Sequence, residues 1–462
     1  MRRWFLVLLA AGSVLAGAVS VGYRVLGRDY RYFQLVKLGD ELLVENLPFQ
    51  ASRTYGSAMA IKPDEAIAYI KRAEAEQRQG NFSPAIADLE RAAQLSSDVL
   101  LVSLRLAELY YEVERFDEAA AQYERALELD PSEANVLYKL ALVRFRGGRE
   151  AEALDALNRA AALRDGFWEA YFLRGAVFRA LGGLDEAEAD FLRALTLRPE
   201  AKRARTALID LYIETRHADK AMALVRDEID ANPEAPEPYL HLADVHAIAG
   251  RNTEAIEAVG LALEQNPNLP VAYLRLGELW LEEATIGADP VATDKAVAAL
   301  ESVVKMDPTN GRAALTLGKA YLAMNDEARG FAELQRATRA TPISAEAHRL
   351  LGDLYRARKK HAEAVTAYHI YLKLRGDTPA VLERLGDTYI ELDNPSMAAE
   401  AYLKLASLEP RRVTPLLKAA RSQLHSGDPA AAARTCRRGL ATNPENQALL
   451  QLLTEATRRV SS

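Results

Sequence analysis

Apolar residues recur along this chain at spacings of three and four for about a dozen residues, break at a polar residue or glycine, resume for a similar stretch, and break again, often at proline. That pattern predicts amphipathic helices in pairs. The pairs return every 34 residues and stay in phase from Tyr32 to Asn446. Counting each repeat from its first residue, the twentieth place holds Ala51, Ala85, Ala119, Ala153, Ala187, Ala221, Ala255, Ala296, Gly330, Ala364, Ala398 and Ala432. The eighth place is small in eleven repeats, six times as glycine (Gly39, Gly175, Gly277, Gly318, Gly352, Gly386), with Ile209 the exception. Glycine inside a helix costs up to about 1 kcal/mol relative to alanine, so close packing must overrule helix propensity there. The twenty-fourth place supplies matching bulk, as Tyr55, Leu89, Tyr123, Leu157, Phe191, Val225, Val259, Leu300, Leu334, Tyr368, Tyr402 and Cys436.

The repeats fall at 32–65, 66–99, 100–133, 134–167, 168–201, 202–235, 236–269, 270–310, 311–344, 345–378, 379–412 and 413–446, and nine of them close on proline, which stops the preceding helix. Repeat eight is seven residues longer than the rest, and its Gly287-Ala288-Asp289-Pro290 string predicts a longer turn between its helices. Residues 447–462 keep the phase with Leu450 and Leu453 and then turn polar, as a capping helix must.

At these residues the chain resembles the tetratricopeptide repeat family, whose signature runs W-x2-L-G-x2-Y, then A-x3-F, then P. Repeat eight carries Tyr273, Leu276-Gly277, Trp280, Ala296, Leu300 and Pro308; repeat ten carries Leu351-Gly352, Tyr355, Ala364 and Tyr368. The resemblance implies an all-α fold, a right-handed α-solenoid of about twelve helix-turn-helix repeats in which the first helices line an inner groove. One hairpin cannot bury its own apolar stripe, whereas a stack of them makes a continuous core.

Ahead of the repeats, residues 1–31 comprise a signal-anchor helix and a short linker. Trp4 to Tyr23 is an uncharged, mostly apolar run of twenty residues between Arg2-Arg3 and Arg24. Twenty helical residues reach about 30 Å, the hydrocarbon thickness of a bilayer. The alternative is a cleaved secretory signal, cut near Ala18 within Ala16-Gly17-Ala18. Retention as a transmembrane anchor is favoured because the apolar run continues past that site. Basic residues flank both ends, so charge does not fix orientation; a short basic head that stays inside favours repeats outside the cytoplasm.

Composition narrows the function. The single cysteine, Cys436, sits at a core knob place, and the seven histidines show no metal-ligand spacing. There is no phosphate loop or nucleophile elbow, and a net charge of -7 with mixed signs argues against nucleic acid. The expectation is a non-enzymatic scaffold with no cofactor and no metal. By the family resemblance, places two, five, nine, twelve and thirteen face the groove. In repeats three to five these include Leu104, Tyr111, Tyr138, Leu142, Phe145 and Phe172, and in repeats six to eight Asp210, Glu214, Asp244, Glu278 and Glu282. An aromatic stretch followed by an acidic one suits a partner segment that is basic and partly apolar. Core packing of the aromatics and a solvated charged face for the acids stay open as the alternatives; only in repeat ten does Asp353 have obvious local partners, Arg349 and Arg356. The role expected is a membrane-anchored scaffold at a bacterial cell envelope, or else an accessory of envelope polysaccharide export or membrane-complex assembly.

Overall fold

A computed structural model of the chain describes residues 26–96, 98–287 and 289–461. The proposed anchor, Trp4–Tyr23, with its cleavage alternative, lies outside the described residues. No described helix is long and apolar enough to cross a membrane. Among the described residues the chain is helical throughout, with no strand. It divides into two compact bodies, one ending at Thr215 and the other beginning at Arg216, inside the turn of repeat six.

The first body starts with a helix over residues 26–44, which pairs with Pro48–Ile61. The described part of the expected linker is therefore helical, continuous with repeat one, and docked: the Asp29 carboxylate lies 2.8 Å from Lys62 Nζ, and Arg28 Nε donates to the Ile61 carbonyl. Hairpins follow at Ala66–Arg78 with Phe82–Leu95, Val99–Glu112 with Phe116–Leu129, Ala134–Arg146 with Glu150–Leu163, and Trp168–Ala180 with Leu184–Leu197, then the helix Lys202–Glu214. One core cluster runs without interruption from Ala73 to Val177. The second body opens with Ala218–Ala231 and continues as Pro236–Ile248 with Asn252–Gln265, Pro270–Gly287 with Pro290–Met306, Gly311–Ala323 with Glu327–Arg339, Ala345–Ala357 with His361–Arg375, Pro379–Glu391 with Pro395–Leu408, and Thr414–His425 with Pro429–Thr442. The last helix, Gln447–Ser461, buries Leu449 and Ala456 against this stack, whereas Leu450 faces outward.

Each hairpin turns through a left-handed residue at the fifteenth place, glycine at Gly80, Gly148, Gly182, Gly250 and Gly427, and otherwise Asn46, Glu114, Arg216, Asn325, Lys359 or Asp393. Repeat eight departs from this, and its long turn is not found. Its first helix has 18 residues against the usual 13, and its second has 17 against 14. Instead, the first helix runs to Gly287, Asp289 caps the second by accepting from Val291 N, and Pro290 takes the first helical position. Asp followed by Pro suits a helix start, since Pro has no N–H to leave unpaired there.

The small eighth place is filled by the bulky twenty-fourth. A Cβ on Gly352 would lie 2.5 Å from Tyr368 Cε1, one on Gly175 2.8 Å from Phe191 Cδ1, and one on Gly277 2.5 Å from Leu300 Cγ. Backbones also come close: the same Cβ on Gly175 would sit 3.2 Å from the Ala187 carbonyl oxygen at the twentieth place. The exception is Ile209, which is bulky and fully buried at its eighth place.

Candidate interaction faces

Where the knob is tyrosine, its hydroxyl is buried and needs an acceptor. At three of the four tyrosine knobs the ninth-place aspartate provides it: Tyr55 donates to Asp40, Tyr368 to Asp353 and Tyr402 to Asp387, at 2.7, 2.7 and 2.6 Å, whereas beside Tyr123 the ninth place is Glu108, which pairs with Lys139. Burial first, and the neighbouring carboxylate second, push all three phenols well above their ordinary pKa. The same aspartates reach a base in the next repeat. Asp40 meets Lys71, Asp353 meets Arg384 and Asp387 meets Lys418. Glu108 with Lys139 and Asp244 with Arg275 repeat the rung, so it joins the ninth place of one repeat to the sixth of the next. A second rung joins the twelfth place to the thirteenth of the following repeat, as Gln77 to Glu112, Arg179 to Glu214 and Arg356 to Glu391.

These rungs change the reading of the acidic face. Glu214 accepts from Arg179 at 2.8 Å, Asp244 forms an ion pair with Arg275 at 2.6 Å, and Glu278 accepts from Arg312 in two bonds of 2.7 and 2.8 Å. Three of the five acids are therefore already neutralised by arginines a repeat away, and their supposed lack of partners is corrected. Asp210 and Glu282 make no ion pair among the described residues; Asp210 lies in the first body and Glu282 in the second. In repeat ten, Arg349 does hold Asp353 at 3.0 Å, but Arg356 turns to Glu391.

The aromatic face belongs wholly to the first body. Leu104, Tyr111, Tyr138, Leu142 and Phe145 are half-buried, their inner sides packed on the core cluster of repeats two to five. Phe172, also half-buried, packs with Trp168 and Tyr171. The rings brace each other: Tyr138 lies 5.4 Å from Phe167, Tyr111 6.1 Å from Phe116, and Phe172 6.0 Å from Phe191. Neither alternative, core or free surface, holds outright; each side chain is anchored on one side and open on the other. Arg203 stands over the Phe172 ring at 5.4 Å in a cation–π contact; burial raises the Tyr138 phenol, and the positive charge of Arg203 partly offsets this.

Among the described residues no cluster of three or more His, Cys, Asp or Glu could hold a metal ion. Cys436 is buried and its thiol is pushed up by burial, the opposite of an activated nucleophile. Clefts of about 380 and 280 Å³ in the second body, lined by His369, Tyr389 and Glu400 and by His348, Tyr355 and Glu363, recur one repeat apart as a consequence of stacking.

Helical hairpins in register, joined by rungs, define a repeat scaffold. Two family models described as tetratricopeptide repeat match the sequence, one over residues 104–167, 172–236, 206–270 and 383–447, the other over 292–354. These stretches cover more than half of the chain, which belongs to the tetratricopeptide repeat family, a family of generally non-enzymatic protein-interaction scaffolds. No curated protein matches the sequence. Among solved structures the chain is similar to the Cut9–Hcn1 hetero-tetramer of APC/C, at 15% identity over 92% of this chain and 96% of that one, with a TM-score of 0.38. It is also similar to yeast Tom70, at 16% identity over 86% and 96% with a TM-score of 0.38, and to a tetratricopeptide repeat protein from Parabacteroides merdae, at 17% over 54% and 98% with a TM-score of 0.42. All three scores lie below 0.5, so the assignment rests on the family models and the hairpins themselves.

Proposed function

We propose that this protein is a membrane-held scaffold that grips an apolar segment of a partner protein on the first-helix face of repeats three to five. The observation that carries this reading is the run of half-buried Leu104, Tyr111, Tyr138, Leu142, Phe145 and Phe172, where repeats four and five have Leu142 and Ala176 in place of the ninth-place acid. Pre-braced aromatic rings lose little side-chain freedom on binding, which is why such residues become hot spots. The pairing of Glu214, Asp244 and Glu278 within the chain removes most of the support for a basic partner. With Arg203 over Phe172, a carboxylate beside the apolar anchors is the better complement.

Support for the membrane attachment is the Trp4–Tyr23 run together with the stripe that follows it: Leu26, Tyr30 and Phe33 fall on one helix face and are 71%, 66% and 57% exposed. Repeats outside the cytoplasm remain the favoured orientation. Affinity capture from solubilised membranes, read by mass spectrometry, tests the face. A Tyr138→Ser/Phe145→Ser/Phe172→Ser variant should lose its partner, at about 30-fold per hot spot, with helicity kept, while Asp244→Ala/Glu278→Ala keeps it. Equal capture by the aromatic variant would remove the face from consideration. Carbonate washing tests the anchor: the full chain should stay with membranes and a chain lacking residues 1–25 should not, and release of the full chain would refute it.

A further inference from the structure

The last repeat carries a second recognition surface of opposite character. From Pro410 to Ser462 the sequence has nine Lys and Arg against three Asp and Glu, a local charge of +6 in a chain whose total is -7. Much of that charge sits on one helix, Pro429–Thr442, which contains no acidic residue. Arg434, Arg437 and Arg438 occupy places 22, 25 and 26 there, are exposed, and make no ion pair or hydrogen bond among the described residues. Spacings of three and four put the three guanidinium groups on one face within about 6 Å of helix rise. No other repeat has Lys or Arg at more than one of these three places, and in repeats two, three and eight place 25 is an acid, Glu90, Glu124 and Glu301. Two of those acids accept from a tyrosine of the next repeat, Glu90 from Tyr110 and Glu301 from Tyr321. The following helix, Gln447–Ser461, has no tyrosine to offer, and Arg437 stands where that acceptor would be.

We infer that this face of repeat twelve binds an acidic protein segment, two or three carboxylates at helical or extended spacing engaging Arg434, Arg437 and Arg438. Guanidinium groups are weakly hydrated and bind carboxylates in paired hydrogen bonds, so a cluster left without an internal partner is suited to supply an external one. A phosphate polymer fits less well. Residues 413–462 contain no Phe, Tyr or Trp on which bases could stack, and residues 216–409, with 21 Lys and Arg against 30 Asp and Glu, would repel an extended polyanion. A lipid surface fits less well too, because the only large apolar side chains exposed after Leu408 are Leu450 and Val460.

Fluorescence anisotropy of the full-length chain with a labelled ten-residue glutamate peptide tests this directly. Wild type should bind, more weakly as salt rises, and Arg434→Glu/Arg437→Glu/Arg438→Glu should weaken binding at least tenfold. The neutral variant Arg434→Gln/Arg437→Gln/Arg438→Gln keeps the test valid if charge reversal disturbs the fold, and circular dichroism checks both. Arg91→Glu/Arg125→Glu/Arg159→Glu changes net charge equally at place 26 of repeats two to four and should bind as wild type does. Absence of binding by wild type, or equal loss in that control, overturns the inference. So does tighter binding of single-stranded DNA or of anionic vesicles that the repeat-twelve variants abolish.

Discussion

Repeats four and ten share one hairpin and differ at every place on the first-helix face. Repeat ten places Arg349, Asp353 and Arg356 there, and each is bound: Arg349 to Glu346 and Asp353, Asp353 to Tyr368 and Arg384, Arg356 to Glu391. Repeat four places Tyr138, Leu142 and Phe145 at the same positions, half-buried and open on one side. One part of the difference lies at the knob. The Tyr368 hydroxyl is buried with its ring and donates to Asp353, whereas Leu157 has no hydroxyl and the ninth place of repeat four carries Leu142. The knob alone does not set the outer face, because repeats seven and eight keep Asp244 and Glu278 in ion pairs beneath the apolar knobs Val259 and Leu300.

The comparison breaks first at the glycine. Gly352→Ala puts a Cβ 2.5 Å from a ring whose hydroxyl is fixed on Asp353 at 2.7 Å, so the ring cannot retreat without losing that bond. The expected cost is up to about 3 kcal/mol by urea denaturation. Adding Tyr368→Leu recreates the Ala141–Leu157 pairing of repeat four and should recover part of the loss. A single variant as stable as wild type would mean that the Gly–Tyr contact does not constrain the hairpin.

Next in size is the acceptor. Asp387→Leu imitates repeat four at repeat eleven and strands the Tyr402 hydroxyl, while Lys418 keeps Glu383 at 2.9 Å. The loss should be about 1–2 kcal/mol, and Tyr402→Phe in the same chain should reduce it. Failure of the second change to help would show that Asp387 serves the rung rather than the phenol.

Much of this is legible in the amino-acid sequence. The in-phase small residues and knobs give the hairpin stack, because volume at a close contact has few solutions. Leu-Gly-Asp before Gly352's and Gly386's tyrosine knobs was equally visible. The rungs are not legible in one helix, where ion pairs stand three or four residues apart; stacking brings place nine beside place six of the next repeat, as with Asp244 and Arg275. How deeply Tyr138 or Phe145 sits depends on the neighbouring first helices and is not written in its own repeat. In repeat eight the glycine and proline suggest a long turn, yet Asp289-Pro290 is a helix start and the added residues lengthen both helices.

Acid should separate the two bodies more gently. In the second, Glu383 is held below the usual carboxylate range by Lys418, Glu391 by Arg356 and Glu346 by Arg349. A carboxyl whose pKa falls on folding adds stability above its unfolded value and loses it as pH drops through the folded one. Burial also lowers His246 and His348 from 6.5, so the second body should begin to weaken below that pH and weaken further in the carboxylate range. The lowered carboxyls of the first body, Glu118, Asp130 and Glu200, face solvent and are screened, so they add little. Hydrogen exchange from pH 7 to pH 4 should therefore show amides beyond Arg216 losing protection first; simultaneous loss in both bodies would contradict this.

The smallest effect has the opposite sign and isolates what the eighth place does. Gly260 lies inside the helix Asn252–Gln265 at place 25, with ordinary helical φ, and a Cβ there would meet nothing within 4 Å. Gly260→Ala removes backbone freedom from the unfolded chain and adds no contact, so it should stabilise by about 0.5–1 kcal/mol. The same substitution at Gly352 is expected to destabilise. Opposite signs from one chemical change, measured by the same urea transition, would place the difference in the knob facing the glycine rather than in helix propensity; a loss at both sites would return it to the backbone.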